Sequence, residues 1–245
     1  MWFQYPEPVA MRLDIDQTAR LGRGPHALHL IWNNPQGLRN CEPSGMQRKP
    51  LMTHATVRII RQEHAALAAM LRSIVMLLEQ HRRKGTLPDF ATLRAMLFYV
   101  DEFPEKRHHR KETELLFPKL RAKTPISREL MDKLDSDHAW GERKIRNVEH
   151  ALLAFEMLGE SRREGFEKLV GQYVDFYLDH MALEEREILP LAERVLSDAD
   201  WRELDEAFAT NRDPLTGHTP DQEYNALFTR IVNAVPAPIG LGEAL

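Results

Sequence analysis

The sequence predicts an all-α fold: an antiparallel up-down-up-down four-helix bundle with a short C-terminal helical extension and an irregular N-terminal tail. Two observations predict it. Apolar residues recur at three- and four-residue spacing through four long segments, and Gly or Pro punctuates the short stretches between them. No segment alternates apolar and polar residues long enough to read as a strand, and short connections between long amphipathic helices favour antiparallel neighbours.

Residues 1–52 are set apart as a poorly structured tail. Pro6, Pro8, Pro25, Pro35, Pro43 and Pro50 alternate with Gly22, Gly24, Gly37 and Gly45, and no period survives among them. Met52, just before the first periodic segment, is the expected natural start of translation. The bundle is expected over 53–197. Its first helix runs from Ala55 to about Lys84, with Ile59, Ile60, Leu67, Met70, Leu71, Val75 and Leu78 on one face and Gly85 as the stop. A second segment opens at Pro88 and Asp89 and continues to about 122, with Pro104 expected to kink or break it. The third spans about 127–158 and ends at Gly159, and the fourth spans about 161–197. The extension, 198–245, holds a short helix at about 199–209 introduced by Ser197, a loop from Asn211 to Pro220, and a last helix at about 221–234.

Composition excludes several function classes. The 245 residues carry 33 Lys and Arg against 37 Asp and Glu, a net charge of −4, which gives no electrostatic case for nucleic acid or an anionic membrane. No apolar run is long enough to span a bilayer, and the first residues do not read as a signal peptide. The single cysteine, Cys41, excludes an internal disulfide and a cysteine-rich metal site, and a reducing cytoplasm is the expected compartment.

The chemistry lies in a repeat. His108 and Glu112 stand four apart in the second segment, with Pro118 ten residues after His108; His180 and Glu184 stand four apart in the fourth, with Pro190 ten residues after His180. Upstream, Glu63-His64-Ala65 and Asp137-His138-Ala139 precede the two copies by 44 and 42 residues, counted from His64 to His108 and from His138 to His180. Residues i and i+4 share a helix face, so each doublet presents one nitrogen and one carboxylate together. Taken alone a doublet is an ordinary helix pair worth about 0.2–0.5 kcal/mol, but that leaves the matched upstream histidines without a reason. Facing inward, His64, His108, Glu112, His138, His180 and Glu184 place four imidazoles and two carboxylates in the bundle core. Two close buried carboxylates are expensive without a cation, and a dinuclear centre removes the penalty. Imidazole and carboxylate without thiolate suit iron, manganese or zinc. Six protein ligands leave at least one position open to a small molecule.

Other residues are read more plainly. His109 points about 100° from His108 on an ideal helix and is expected to be exposed or just outside the ligand set. Tyr177, one turn before His180, is either a hydrogen-bonding group near the centre or an amphipathic core tyrosine, and the core role is expected. Glu63 and Asp137 are expected to be salt-bridging surface acids. His26, His29, His54, His81, His150 and His218 have no repeat partner and default to structural or solvent roles.

The set His64, His108-x-x-x-Glu112, His138, His180-x-x-x-Glu184, with the wording of 108–112, 116–118 and 180–185, resembles the hemerythrin-like, HHE cation-binding family over about 55–197. The resemblance implies a four-helix bundle holding two iron ions, with manganese or zinc as alternatives, and binding or sensing dioxygen or another diatomic ligand. In the oxygen carriers the third helix supplies a second histidine one turn after the first. Here that position is Glu142, expected as a weak extra ligand, a supporting group or a solvated acid. Its presence favours sensing, redox or iron chemistry over reversible carriage. A sensor with no visible output domain would signal through a protein partner. Peroxide or nitric oxide turnover, iron-centre repair, metal storage and a structural zinc site complete the alternatives. The resembling repair proteins usually carry an N-terminal cysteine-bearing module, and residues 1–50 show none.

Overall fold

A computed structural model describes residues 54–235, and the sequence readings of the tail, of Met52 as a start and of residues 236–245 fall outside that range. The described residues are almost entirely helical, with no strand among them. The helices are α1 (Ala55–Lys84), α2 (Phe90–Val100), α3 (His109–Lys111), α4 (Phe117–Lys123), α5 (Arg128–Leu158), α6 (Arg163–Leu183), α7 (Leu189–Val195), α8 (Asp198–Phe208) and α9 (Asn225–Ala234). No helix among the described residues is long and apolar enough to cross a membrane.

The predicted stops act as expected. Gly85 takes φ +62°, a conformation that favours glycine, and its N–H and that of Thr86 bond back to the carbonyls of Arg82 and His81 to close α1. Asp89 caps α2 through Ala91 N–H, and Ser197 and Asp200 form a reciprocal capping box at α8.

Pro104 does not break the second segment. α2, α3 and α4 are joined into one continuous run by two π-helical stretches, Asp101–His108 and Glu112–Leu116. A third π-helical stretch, Glu184–Ile188, joins α6 to α7. In a π turn the N–H reaches five residues back: His109 bonds to Pro104 C=O, Phe117 to Glu112 C=O and Leu189 to Glu184 C=O. Pro118 and Pro190, each one residue further on, have no N–H to continue an ordinary α register, so the slip gives up little there. The matched prolines of the repeat thus mark matched helical bulges.

The buried apolar residues fall into two clusters. One gathers Leu67 to Leu78 of α1, Leu93 to Val100 of α2, Ile145 to Phe155 of α5 and Phe166 to Tyr177 of α6, covered by Phe228 and Ile231 of α9. The other gathers Val57 and Ile60 of α1, Leu116, Phe117 and Leu120, Met131 and Leu134 of α5, Ile188 to Ala192, and Trp201, Leu204 and Phe208 of α8. Between them in sequence, on all four long segments, lie buried histidines and glutamates: His64, His108, His109, Glu112, His138, His180 and Glu184. The extension is fastened to α1 at its start, where Asp205 Oδ1 accepts from Thr56 N–H (2.7 Å) and Thr56 Oγ1 (2.6 Å).

Candidate metal centre

The side chains between the two clusters form two tetrads whose potential ligand atoms lie within 4.8 Å of one another: His64, His108, Glu112 and Glu184, and His109, Glu112, His138 and His180. The structure therefore brings together the six residues singled out by the repeat, and adds a seventh, His109. Glu112 belongs to both tetrads. Its Oε1 lies 2.8 Å from His108 Nε2 and its Oε2 3.4 Å from His138 Nε2. Glu184 Oε2 stands between His64 Nε2 (3.6 Å) and His180 Nε2 (3.9 Å). Glu112 is thus common to both sets, and Glu184 belongs to the first with one oxygen turned toward a histidine of the second.

Four of the five imidazoles are oriented through their other nitrogen. His108 Nδ1 is 2.7 Å from Glu63 Oε2, His64 Nδ1 3.0 Å from Glu185 Oε1, and His109 Nδ1 3.1 Å from Glu105 Oε2. His138 Nδ1 is 2.8 Å from Thr113 Oγ1, whose hydroxyl donates to Asp135 Oδ1 at 2.9 Å. His180 Nδ1 is the exception: Asp137 Oδ2 stands 3.6 Å away and the nitrogen has no hydrogen-bond partner. An oxygen acceptor at Nδ1 places the proton there and leaves the Nε2 lone pair free, which is the arrangement a metal-binding histidine needs.

The residues present fit a pair of cations. His64 and His108 Nε2 face each other at 3.1 Å, as do His138 and His180 Nε2. With the proton of a neutral ring on Nδ1, as the oxygen partners of His64, His108 and His138 favour, these nitrogens would oppose lone pairs unless a cation or a proton sits between them. Both oxygens of Glu112, both of Glu184 and Nε2 of His109 are buried without a hydrogen-bond partner. Orphaned buried acceptors of this kind are costly unless an ion or a proton sits among them. The electrostatics agree. Burial pushes the Glu184 carboxyl well above the usual carboxylate range, and neighbouring Glu112 pushes it further. Glu112 is held low despite its burial by the imidazoles of His108, His138 and His64. Burial lowers His109 well below the ordinary imidazole range and His138 to about 3, so both rings stay neutral and available as ligands at physiological pH.

Three sequence expectations are corrected here. His109 is neither exposed nor outside the set: it is 2% exposed and its ring stacks on His138. The wide turn of Asp101–His108 changes the angular position of the next residue, so the 100° step of an ideal helix does not apply. Glu63 is buried and directs its carboxylate at His108 of another helix; Asp137 is largely covered rather than at the surface, but it pairs with Lys133 as a salt-bridging acid should, and lies 3.6 Å from His180 Nδ1. The signal for His109 was Pro104 inside a helical run. Glu142 joins neither tetrad; it pairs with Arg146 at 3.5 Å on the exposed surface. Tyr177 is buried beside His109, its hydroxyl donating to Glu105 Oε1 at 2.5 Å, and Tyr173 donates to the same oxygen at 2.7 Å. Burial lifts the Glu105 carboxyl to about 7 against the pull of both phenols.

Access is unequal. A groove of about 550 Å³ lined by Glu105, His109, Thr113, His138 and Glu142 runs along one side of the second tetrad. On the other side, Glu63, His64, His108, Asn211 and Asp213 line a small void of about 10 Å³.

The family model described as Hemerythrin HHE cation binding domain matches residues 55–192, which contain both tetrads. No curated protein and no solved structure matches the chain.

Proposed function

The chain belongs to the hemerythrin HHE cation-binding family, and on that premise we propose that it is a non-haem di-iron protein that binds or senses dioxygen or another small diatomic molecule. One observation carries the reading: two tetrads share Glu112, and four of their five imidazoles have Nδ1 bonded to an oxygen. In this reading His64, His108, Glu112 and Glu184 hold one ion, and His109, Glu112, His138 and His180 hold the other. Bound iron would supply an open coordination position and reversible one-electron chemistry. The chain's own part is to aim the rings, to keep His109 and His138 neutral, and to share the carboxylate of Glu112 between the two sets. It also admits small molecules from the groove side, next to His109 and His138. The fifth imidazole, absent at position 142, is supplied by His109, which returns reversible binding to consideration.

The fold implied is the antiparallel up-down-up-down bundle. Its support is the order of the apolar clusters, which reverses from each long segment to the next: Val57 before Leu78, Leu93 before Leu120, Met131 before Leu152 and Phe166 before Leu189. The protein would work in the cytoplasm without contacting nucleic acid or membrane, and a sensing role would pass its signal to a protein partner.

A second reading, turnover of peroxide or nitric oxide, is favoured by one feature. Tyr177 and Tyr173, two buried phenols, share Glu105 beside His109, and Glu105 holds or releases a proton near neutral pH. Anaerobic loading with iron(II) followed by air separates the readings. A charge-transfer band that forms and reverses on degassing supports binding, and irreversible bleaching with consumption of peroxide supports turnover. A native protein carrying two zinc ions and no band refutes both.

A further inference from the structure

The chain beyond the family-matched region returns to the centre. Asn211, in the turn after α8, is 2% exposed, and its Nδ2 donates to Glu63 Oε2 at 2.8 Å. That same oxygen accepts from His108 Nδ1. Asn211 Oδ1 accepts from the Lys111 ammonium, which also donates to Ala207 C=O and Thr210 Oγ1, each at 2.7 Å.

These contacts fix the orientation of the Asn211 amide. An ammonium only donates, so the side of the Asn211 amide facing Lys111 is its oxygen and the side facing Glu63 is its NH₂. Glu63 Oε2 then receives two donors, the amide and His108 Nδ1–H. With Nδ1–H held by Glu63, His108 turns Nε2 toward Glu112 and His64, where a bound ion would take its lone pair. The other tetrad is supported differently: His109 and His138 lean on Glu105 and Thr113, both within the second helical run.

We infer that Asn211 is a positioning residue of the metal centre, which through Glu63 fixes the tautomer and direction of His108, so that the C-terminal extension is a working part of one ion site and not of the other. The inference rests on the metal-centre reading above. It has a distinctive consequence: damage to Asn211 is felt by the ion at His64 and His108, while the ion at His109, His138 and His180 is spared.

The test is titration of the full chain with cobalt(II) against a competing chelator, followed by visible d–d absorption. The wild type takes up two ions. Asn211→Ala weakens one of them by about 10- to 100-fold, the range seen when an outer partner of a ligating histidine is lost, and changes its band shape while the other ion keeps its affinity. Asn211→Asp keeps the size of the side chain but not its NH₂, so it weakens the same ion and serves in place of the alanine variant should that fail to fold. Glu63→Gln gives the same phenotype, and combining it with Asn211→Ala adds little further. Thr210→Ala, which gives up a Lys111 contact without touching Glu63, binds both ions as the wild type does. Wild-type affinities and spectrum in both Asn211 variants, or equal weakening of the two ions, would overturn this inference alone. A wild-type chain that takes up no cobalt overturns the metal-centre reading and this inference with it.

Discussion

Gly141 lies inside α5, and a methyl group added there meets Tyr177. The new Cβ would stand 1.7 Å from the Tyr177 hydroxyl oxygen, 2.8 Å from its Cζ and 2.9 Å from Glu105 Oε1. Gly141→Ala therefore sets two effects against each other. Alanine is better than glycine in a helix interior by about 1 kcal/mol. Against this, overpacking a tight interior costs about 1–3 kcal/mol. Moving the phenol aside also strips Glu105 of one of its donors, about 1–3 kcal/mol more for a buried acceptor. The balance is a net loss of about 1–5 kcal/mol by these figures. With a urea slope of roughly 1–3 kcal/mol per molar, the midpoint of the metal-free protein should fall by on the order of 1 M. Working without metal keeps ion release out of the measurement. Tyr177→Phe in the same background removes the nearest clashing atom, so the double variant should lose less than the sum of the two single ones. A Gly141→Ala protein with an unchanged or higher midpoint refutes the reasoning, because that is what helix propensity alone would give.

Two further outcomes follow from the site and its surroundings. Glu112→Ala should abolish binding of both ions, since Glu112 belongs to both tetrads, whereas His64→Ala should remove one; metal analysis after dialysis checks this, and a Glu112→Ala protein retaining two ions contradicts it. The Glu112 variant should also melt at a lower temperature as isolated, because ion binding adds to folding free energy. Asp213, whose Oδ2 accepts from the buried Tyr99 hydroxyl at 2.7 Å, is pushed by burial up to about 6. In the metal-free protein the folded form therefore holds a proton that the unfolded form has released, and this group's contribution is full below about pH 4 and lost as pH rises to about 6. Asp213→Asn should remove that part of the stability profile, read as urea midpoints across this interval; an unaltered profile counts against it.

The parts of the molecule written in periodicity were the legible ones. α1 begins and ends at the residues its apolar stripe and Gly85 indicate, and the third segment ends at Gly159 as expected. The repeat led to six residues that the structure gathers between the apolar clusters. What stayed hidden is what an ideal helix cannot express. His109 was assigned to the wrong face because a uniform 100° step was carried through a run that holds a wide turn at Asp101–His108. Glu63 was assigned to solvent because adjacent residues diverge on one helix, yet it partners His108 on another helix, which local spacing does not encode, whereas Asp137 does pair with Lys133 one turn before it on its own helix. Asn211 sits in a stretch with no period, where its contacts depend on how the chain returns.

The wide turns at Glu112 and Glu184 have one more consequence. A bulge in an all-amide helix can migrate, because neighbouring N–H groups compete for the same carbonyls. Pro118 and Pro190 remove one competitor at each place and pin the phase of the helix as the chain folds. The two carboxylates are then set by the backbone before any ion arrives, so stripping the metal should leave them standing in the same rotational frame, ready to be refilled.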